Sequence, residues 1–191
     1  MARLTGFSAL VMVLLLGCGG GAAGPSVSVA PEPRTVVVGD QLALSATPSV
    51  DLAGDLEWQV EEPFGGGLRN SVGNSTVYFA PEGAGTYHLT LRAATAAGHK
   101  LKQTVEVRVL PILSVEPLTA QTGLNGSVAF TLTLKGLPRN SVKWTVDEPD
   151  GGEVDQDGRY QAPARPGTYH VSAASTLDPL ASARATVVVG P

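Results

Sequence analysis

The chain has 191 residues, a formal net charge of −4, 43% hydrophobic but only 5% aromatic residues, and one cysteine. An acidic balance with no cluster of basic side chains argues against a nucleic-acid partner, and a single cysteine rules out a disulfide framework. With 23 Gly and 14 Pro the sequence is punctuated at short intervals, which favours short strands over long helices.

In chain order, the first element is a leader. Arg3 is the only charge before Cys18, and an apolar run from Ala9 to Leu16 is too short to span a bilayer, which needs ~20 apolar residues. A basic start, a short apolar core and small residues at the end read as a signal peptide over residues 1–17. Leu15-Leu16-Gly17-Cys18 resembles a bacterial lipobox. That resemblance implies a diacylated Cys18 as mature N-terminus and a membrane partner reached through the lipid. Two acyl chains hold a protein on a membrane stably. The competing readings are a plain secretory signal cut near the Gly/Ala stretch and a buried structural cysteine; the second fails because position 18 belongs to no folded unit. Residues 18–25 then form the lipidated Cys and a Gly/Ala-rich tether of about 15 Å. Gly19 rather than Asp after the Cys resembles lipoproteins sorted to the outer membrane of Gram-negative cells.

The rest of the chain reads as strands. Gln41–Ala46, Leu56–Val60, Tyr87–Leu91 and Val105–Val109 alternate apolar and polar with period two, the pattern of half-buried antiparallel strands. No stretch shows a helical apolar stripe. About seven short strands in some 85 residues is the pattern of a β-sandwich.

That pattern occurs twice. Trp58-Gln59-Val60-Glu61-Glu62-Pro63-Phe64-Gly65-Gly66 returns as Trp144-Thr145-Val146-Asp147-Glu148-Pro149-Asp150-Gly151-Gly152. Tyr78-Phe79-Ala80-Pro81 and Gly85-Thr86-Tyr87-His88 return as Tyr160-Gln161-Ala162-Pro163 and Gly167-Thr168-Tyr169-His170. The Trp positions lie 86 apart and the Tyr87/Tyr169 positions 82 apart, so the first copy carries four extra residues between Gly67 and Tyr78. Extending the offsets pairs Val27–Val29 with Leu113–Val115, and Val105–Val107 with Val187–Val189. The domains are therefore expected at 26–110 and 111–191, joined at Leu110-Pro111-Ile112 without a flexible linker. The last repeat position falls just before Pro191, and no third domain is expected.

Trp58 and Trp144 look like the buried Trp of an immunoglobulin strand C, and Tyr87 and Tyr169 like the tyrosine-corner residue opening strand F. Where antibody domains place their disulfide, this chain has Leu44 and Leu89, then Phe130 and Val171. The combined motifs resemble the bacterial immunoglobulin-like repeats of surface and secreted proteins. The resemblance implies an all-β fold of two tandem immunoglobulin-like β-sandwich domains, and it transfers no particular activity.

Few residues invite chemistry. No nucleophile elbow, phosphate loop or His/Cys ligand spacing is present. Catalytic residues, cofactors and a metal are not expected, and no enzyme activity is. His88 and His170 are expected to point outward as solvated strand residues. Glu62 and Glu148 are expected to accept hydrogen bonds from backbone amides at the turn ending strand C. Asp150, Asp155 and Asp157 form a weak calcium candidate, against the competing reading of solvated turns. Asymmetry marks a candidate binding loop: Phe64, Leu68, Val72 and Phe79 accompany the four extra residues, where domain 2 has Asp150 and Gln161 opposite the two Phe residues. These aromatics are either exposed, marking a site, or folded back as a satellite core. The resulting expectation is a lipid-anchored envelope protein that binds or adheres to an unknown protein or glycan, with a passive spacer as the alternative.

Overall fold

The computed structural model describes residues 24–191; the leader and Cys18 lie outside the described residues. Domain 1 contains β1 (Val27–Ala30), β2 (Thr35–Val37), β3 (Gln41–Pro48), β4 (Glu57–Val60), β5 (Gly67–Leu68), β6 (Ser75–Phe79), β7 (Gly85–Ala94) and β8 (Lys100–Leu110). Its two sheets have the orders β1-β3-β6-β5 and β2-β8-β7-β4. All pairs are antiparallel except β2 with β8. Taking β1 and β2 as strands A and A′, and β3 to β8 as B to G, these are the ABED and A′GFC sheets of an immunoglobulin-like sandwich.

Domain 2 repeats the plan with β9 (Ile112–Glu116), β10 (Thr119–Gly123), β11 (Ser127–Ala129), β12 (Thr131–Lys135), β13 (Val142–Val146), β14 (Glu153–Val154), β15 (Arg159–Gln161), β16 (Gly167–Ser175) and β17 (Ser182–Gly190). One sheet is β10-β17-β16-β13, with β10 parallel to β17. The other is split into β11-β15-β14 and β12-β9. The split falls at Phe130, between β11 and β12, where the Phe130 N–H donates to the Gly158 carbonyl at 2.8 Å and extends the β11–β15 register by one residue. Only Pro111 separates β8 from β9.

Period-two alternation places one face of β3, β8 and β17 inward, while β7 buries Leu89, Thr90 and Leu91 in succession. In β8, Leu101, Val105, Val107 and Val109 are buried while their neighbours are not. Leu44, Trp58 and Leu89 share the domain 1 core; Phe130, Trp144 and Val171 share that of domain 2. The Phe130 and Trp144 rings lie 6.3 Å apart between centroids, so apolar contact fills the place a disulfide would take. The Tyr87 hydroxyl donates to the Gly83 carbonyl at 2.9 Å, and Tyr169 to that of Arg165 at 3.1 Å. Each is a tyrosine corner, closing the loop into strand F.

Two side chains more deeply buried than the tryptophans come from the repeated Tyr-x-Ala-Pro. Tyr78 and Tyr160 are both 0% exposed. Their hydroxyls donate to the Gly65 and Gly151 carbonyls at 2.5 and 2.6 Å. Burial raises both phenols far above their ordinary value, Tyr160 to about 12. Each therefore stays a neutral donor.

The register corrects one expected pairing. Tyr87 sits opposite Val107 and Tyr169 opposite Val187, so Val105–Val107 corresponds to residues 185–187, not 187–189. The β16–β17 hairpin, from Tyr169 to Val187, is therefore two residues shorter than the β7–β8 hairpin, from Tyr87 to Val107. The loop between β16 and β17 carries Leu177 and Asp178 to the junction with domain 1, where Asp178 lies 3.6 Å from Arg108.

Candidate functional site

The turn after strand C is built alike in the two copies and differs at its tip. In domain 1, the Glu62 carboxylate accepts the His88 backbone N–H at 3.0 Å and the His88 ring Nδ1 at 2.6 Å. Gly65 N–H closes back on the Glu62 carbonyl at 3.0 Å. Gly66 has φ of 98°, and a Cβ there would drive into the Phe79 carbonyl, so only glycine fits. Domain 2 repeats each contact: Glu148 holds the His170 N–H at 2.8 Å and Nδ1 at 2.6 Å, and Gly151 N–H bonds the Glu148 carbonyl at 3.0 Å. At the tip the copies part. Phe64 is 90% exposed. Asp150, in its place, lies 3.8 Å from Arg165.

These contacts revise two expectations. The histidines lie half-buried, each clamped by a carboxylate rather than simply solvated. The amide that each Glu caps belongs to the neighbouring strand F, not to the turn ending strand C. The hydrogen bond to Glu62 raises the His88 pKa, and the charges of Glu62, Glu106 and Glu61 add to it against a smaller desolvation effect. Burial pushes the Glu62 carboxyl up, but the bonds from the His88 amide and ring outweigh it and hold it below the ordinary range. Glu148 is lowered by the same balance with His170.

The four residues of the expected binding loop do not gather. Leu68 packs partly buried against the domain 1 core, opposite Tyr78. Phe79 is half-buried, with the Arg69 guanidinium 5.7 Å from its ring centroid. Val72 is 52% exposed but bridges Glu57 at the start of β4, whereas Phe64 follows its end. The inserted residues fold back over strand C instead of projecting. Trp58 N–H donates to the Ser71 carbonyl and the Trp58 indole to the Gly73 carbonyl, both at 2.8 Å. The insertion therefore covers a buried tryptophan, and Phe64 stands apart from it.

The calcium candidate does not assemble either. Asp155 Oδ1 accepts the Asp157 and Arg159 N–H groups at 3.0 and 2.9 Å, closing a tight turn on itself. Asp150 faces Arg165 instead. Among the described residues no group of three or more His, Cys, Asp or Glu is arranged to hold a metal. The same residues contain no helix long and apolar enough to cross a membrane.

No family model and no curated protein matches the chain. Solved structures do. The C-terminal 282-residue fragment of intimin, in complex with the intimin-binding domain of the translocated intimin receptor, is 15% identical with a TM-score of 0.44. The match covers 85% of this chain, which spans only 62% of that fragment. The insect immune protein hemolin is 12% identical over 91% of this chain and 48% of its own, with a TM-score of 0.45. The fibronectin(III)-like modules of Clostridium thermocellum CbhA are 17% identical over 86% and 93%, with a TM-score of 0.34. The strand order and register establish the sandwich fold independently of these similarities.

Proposed function

We propose that this chain is a non-enzymatic envelope protein, lipid-anchored at Cys18 and exported to the outer membrane, whose two immunoglobulin-like domains act as a binding module. One observation carries the binding reading. Phe64 is 90% exposed at the tip of a turn fixed by Glu62, His88, Tyr78 and Gly66. A large ring held out by a rigid turn loses little conformational entropy on contact, which makes it a good anchor for a protein or glycan surface. Domain 2 folds the same turn with an aspartate, so the ring is not required by the fold.

The test pairs capture with stability. Phe64→Ala is expected to weaken capture of envelope components at least several-fold and to leave the melting temperature within about a degree of wild type. Intact capture would remove Phe64 as the contact. In the same cells, Cys18→Ser should abolish fatty-acid labelling and release the protein from the membrane fraction; a wild type that takes no label would remove the anchor.

The spacer reading is favoured by a different observation. Domains joined through Pro111 alone, with the Ala84 N–H bonded to the Gly136 carbonyl at 3.0 Å, would hold a passenger at a set distance from the tether.

A further inference from the structure

Strand β13 ends its sheet in the order β10-β17-β16-β13. The equivalent strand of domain 1, β4, also ends its sheet, but the inserted loop closes that edge by taking the Trp58 N–H and bridging Glu57 to Val72. Domain 2 lacks those residues. Its short turn, Asp155–Gly158, packs on the Trp144 ring instead. Hydrogen-bond parity along β13 shows what is left open. Asp147 N–H donates to the His170 carbonyl, so the odd-numbered residues bond β16. Trp144 and Val146 aim their N–H and C=O groups away from it, as Trp58 does in domain 1. Among the described residues neither makes a backbone hydrogen bond outside the sheet.

We propose that this edge pairs with the same edge of a second copy of the chain, antiparallel and centred on Thr145. The arrangement is isologous, so every contact is made twice. Trp144 would face Val146 of the partner subunit and exchange both backbone hydrogen bonds with it, four bonds in all by symmetry. Thr145 would face Thr145 of the partner subunit as a non-hydrogen-bonded pair. Lys143, exposed on the outer face, would face Asp147 of the partner subunit. Asp147 engages Arg184 through Oδ2 at 2.9 Å, which leaves Oδ1 for the incoming ammonium.

Charge complementarity selects the occupant. A lysine on an edge strand ordinarily guards it against pairing, but in this register each lysine meets a carboxylate, and opposite charges across a strand pair attract. Domain 1 shows the reverse. The same register centred on Gln59 would set Glu57 against Glu61, and the inserted loop already occupies that edge. One copy of the duplicated domain is thus closed and self-repelling at this edge, while the other is open and self-complementary.

Cysteine cross-linking of the full chain in a Cys18→Ser background tests the pairing, since no other cysteine is present. Directly opposed non-hydrogen-bonded residues have Cα atoms about 4.5 Å apart, within the ~4.4–6.8 Å range a disulfide bridges. Thr145→Cys is expected to form a disulfide dimer under mild oxidation at least tenfold faster than Gln59→Cys, the matching position of domain 1. Adding Lys143→Asp should remove that advantage, and adding Asp147→Lys to Lys143→Asp should restore it. Melting curves like that of wild type confirm that each variant is folded. Equal rates at positions 145 and 59, or cross-linking indifferent to Lys143→Asp, would overturn the proposal. So would an edge that takes up an extended peptide from another protein while the chain stays monomeric.

Discussion

The clamp between Glu62 and His88 shows how one pair of side chains fixes a turn and makes stability depend on pH. The carboxylate receives both the His88 amide and its ring, and Glu106 lies 3.8 Å from the outer ring nitrogen. The groups facing His88 are Glu62 on the turn, Glu61 beside it and Glu106 on β8. His88 is raised in the folded state, so its contribution is complete below the ordinary imidazole value of 6.5 and is lost as pH rises through its folded value. Glu62 is lowered, so its contribution is complete above the ordinary value of 4.5 and is lost as pH falls through its folded value. The pair should therefore stabilise domain 1 most between about pH 4.5 and 6.5. Measured against His88→Gln, the gain in melting temperature should peak in that window and shrink on both sides. A difference flat from pH 4 to 8 would show that the clamp does not titrate with folding. Sequence disclosed these residues only as a repeated Glu and a repeated His, 26 positions apart in domain 1 and 22 in domain 2. Nothing local signals their contact, because it is made across two strands that only the folded sheet brings together.

At the scale of elements, two loops are hidden from sequence for different physical reasons. The two-residue difference in the connection between β16 and β17 is hidden because a Val-x-Val pattern reads the same after a slip of two. Such a slip preserves which side chains face the core, so periodicity alone cannot place it. The insertion between β5 and β6 was legible as extra length but not as cover, since Ser71-Val72-Gly73-Asn74 carries no sign that its backbone pairs with strand C. The repeat, the strand alternation and the tyrosine corners were legible, because each is written in residues close together in sequence. Deleting residues 71–74 would remove the Trp58 N–H bond to Ser71, the indole bond to Gly73, the Gly73 bond to Leu56 and the Ala46 bond to Asn74. At about 0.5–1.5 kcal/mol each, the loss amounts to ~2–6 kcal/mol. Urea unfolding followed through Trp58 fluorescence, with Trp144→Phe removing the second reporter, should show domain 1 destabilised by that amount. A midpoint unchanged within error would mean that the loop is an accessory to the sandwich and not part of it.

For the whole molecule, the junction decides whether two sandwiches act as one body. Three contacts from domain 2 meet domain 1 there. The Gly136 carbonyl accepts the Ala84 N–H, Asp178 approaches Arg108, and Ile112 packs against the domain 1 core. The ion pair is half exposed and worth ~0–1 kcal/mol, and the single hydrogen bond about 0.5–1.5 kcal/mol. Neither alone would hold the domains, so close fit matters more. Gly136 leaves no room for a side chain. It sits at φ of 85°, and a Cβ there would come within 2.7 Å of Val38 Cγ1 and 3.1 Å of Ala84 Cβ. Those atoms belong to domain 1, while Gly136 lies in the connection between β12 and β13, outside its own core. Gly136→Ala should therefore push the domains apart and cost about 1–2 kcal/mol of backbone strain without unfolding either sandwich. Residual dipolar couplings provide the measurement. In the wild type both domains should share one alignment tensor, as a single body must. In Gly136→Ala the tensors should separate while each domain still fits its own structure. Two tensors already present in the wild type would mean that Pro111 acts as a hinge, and the spacer reading would lose its support.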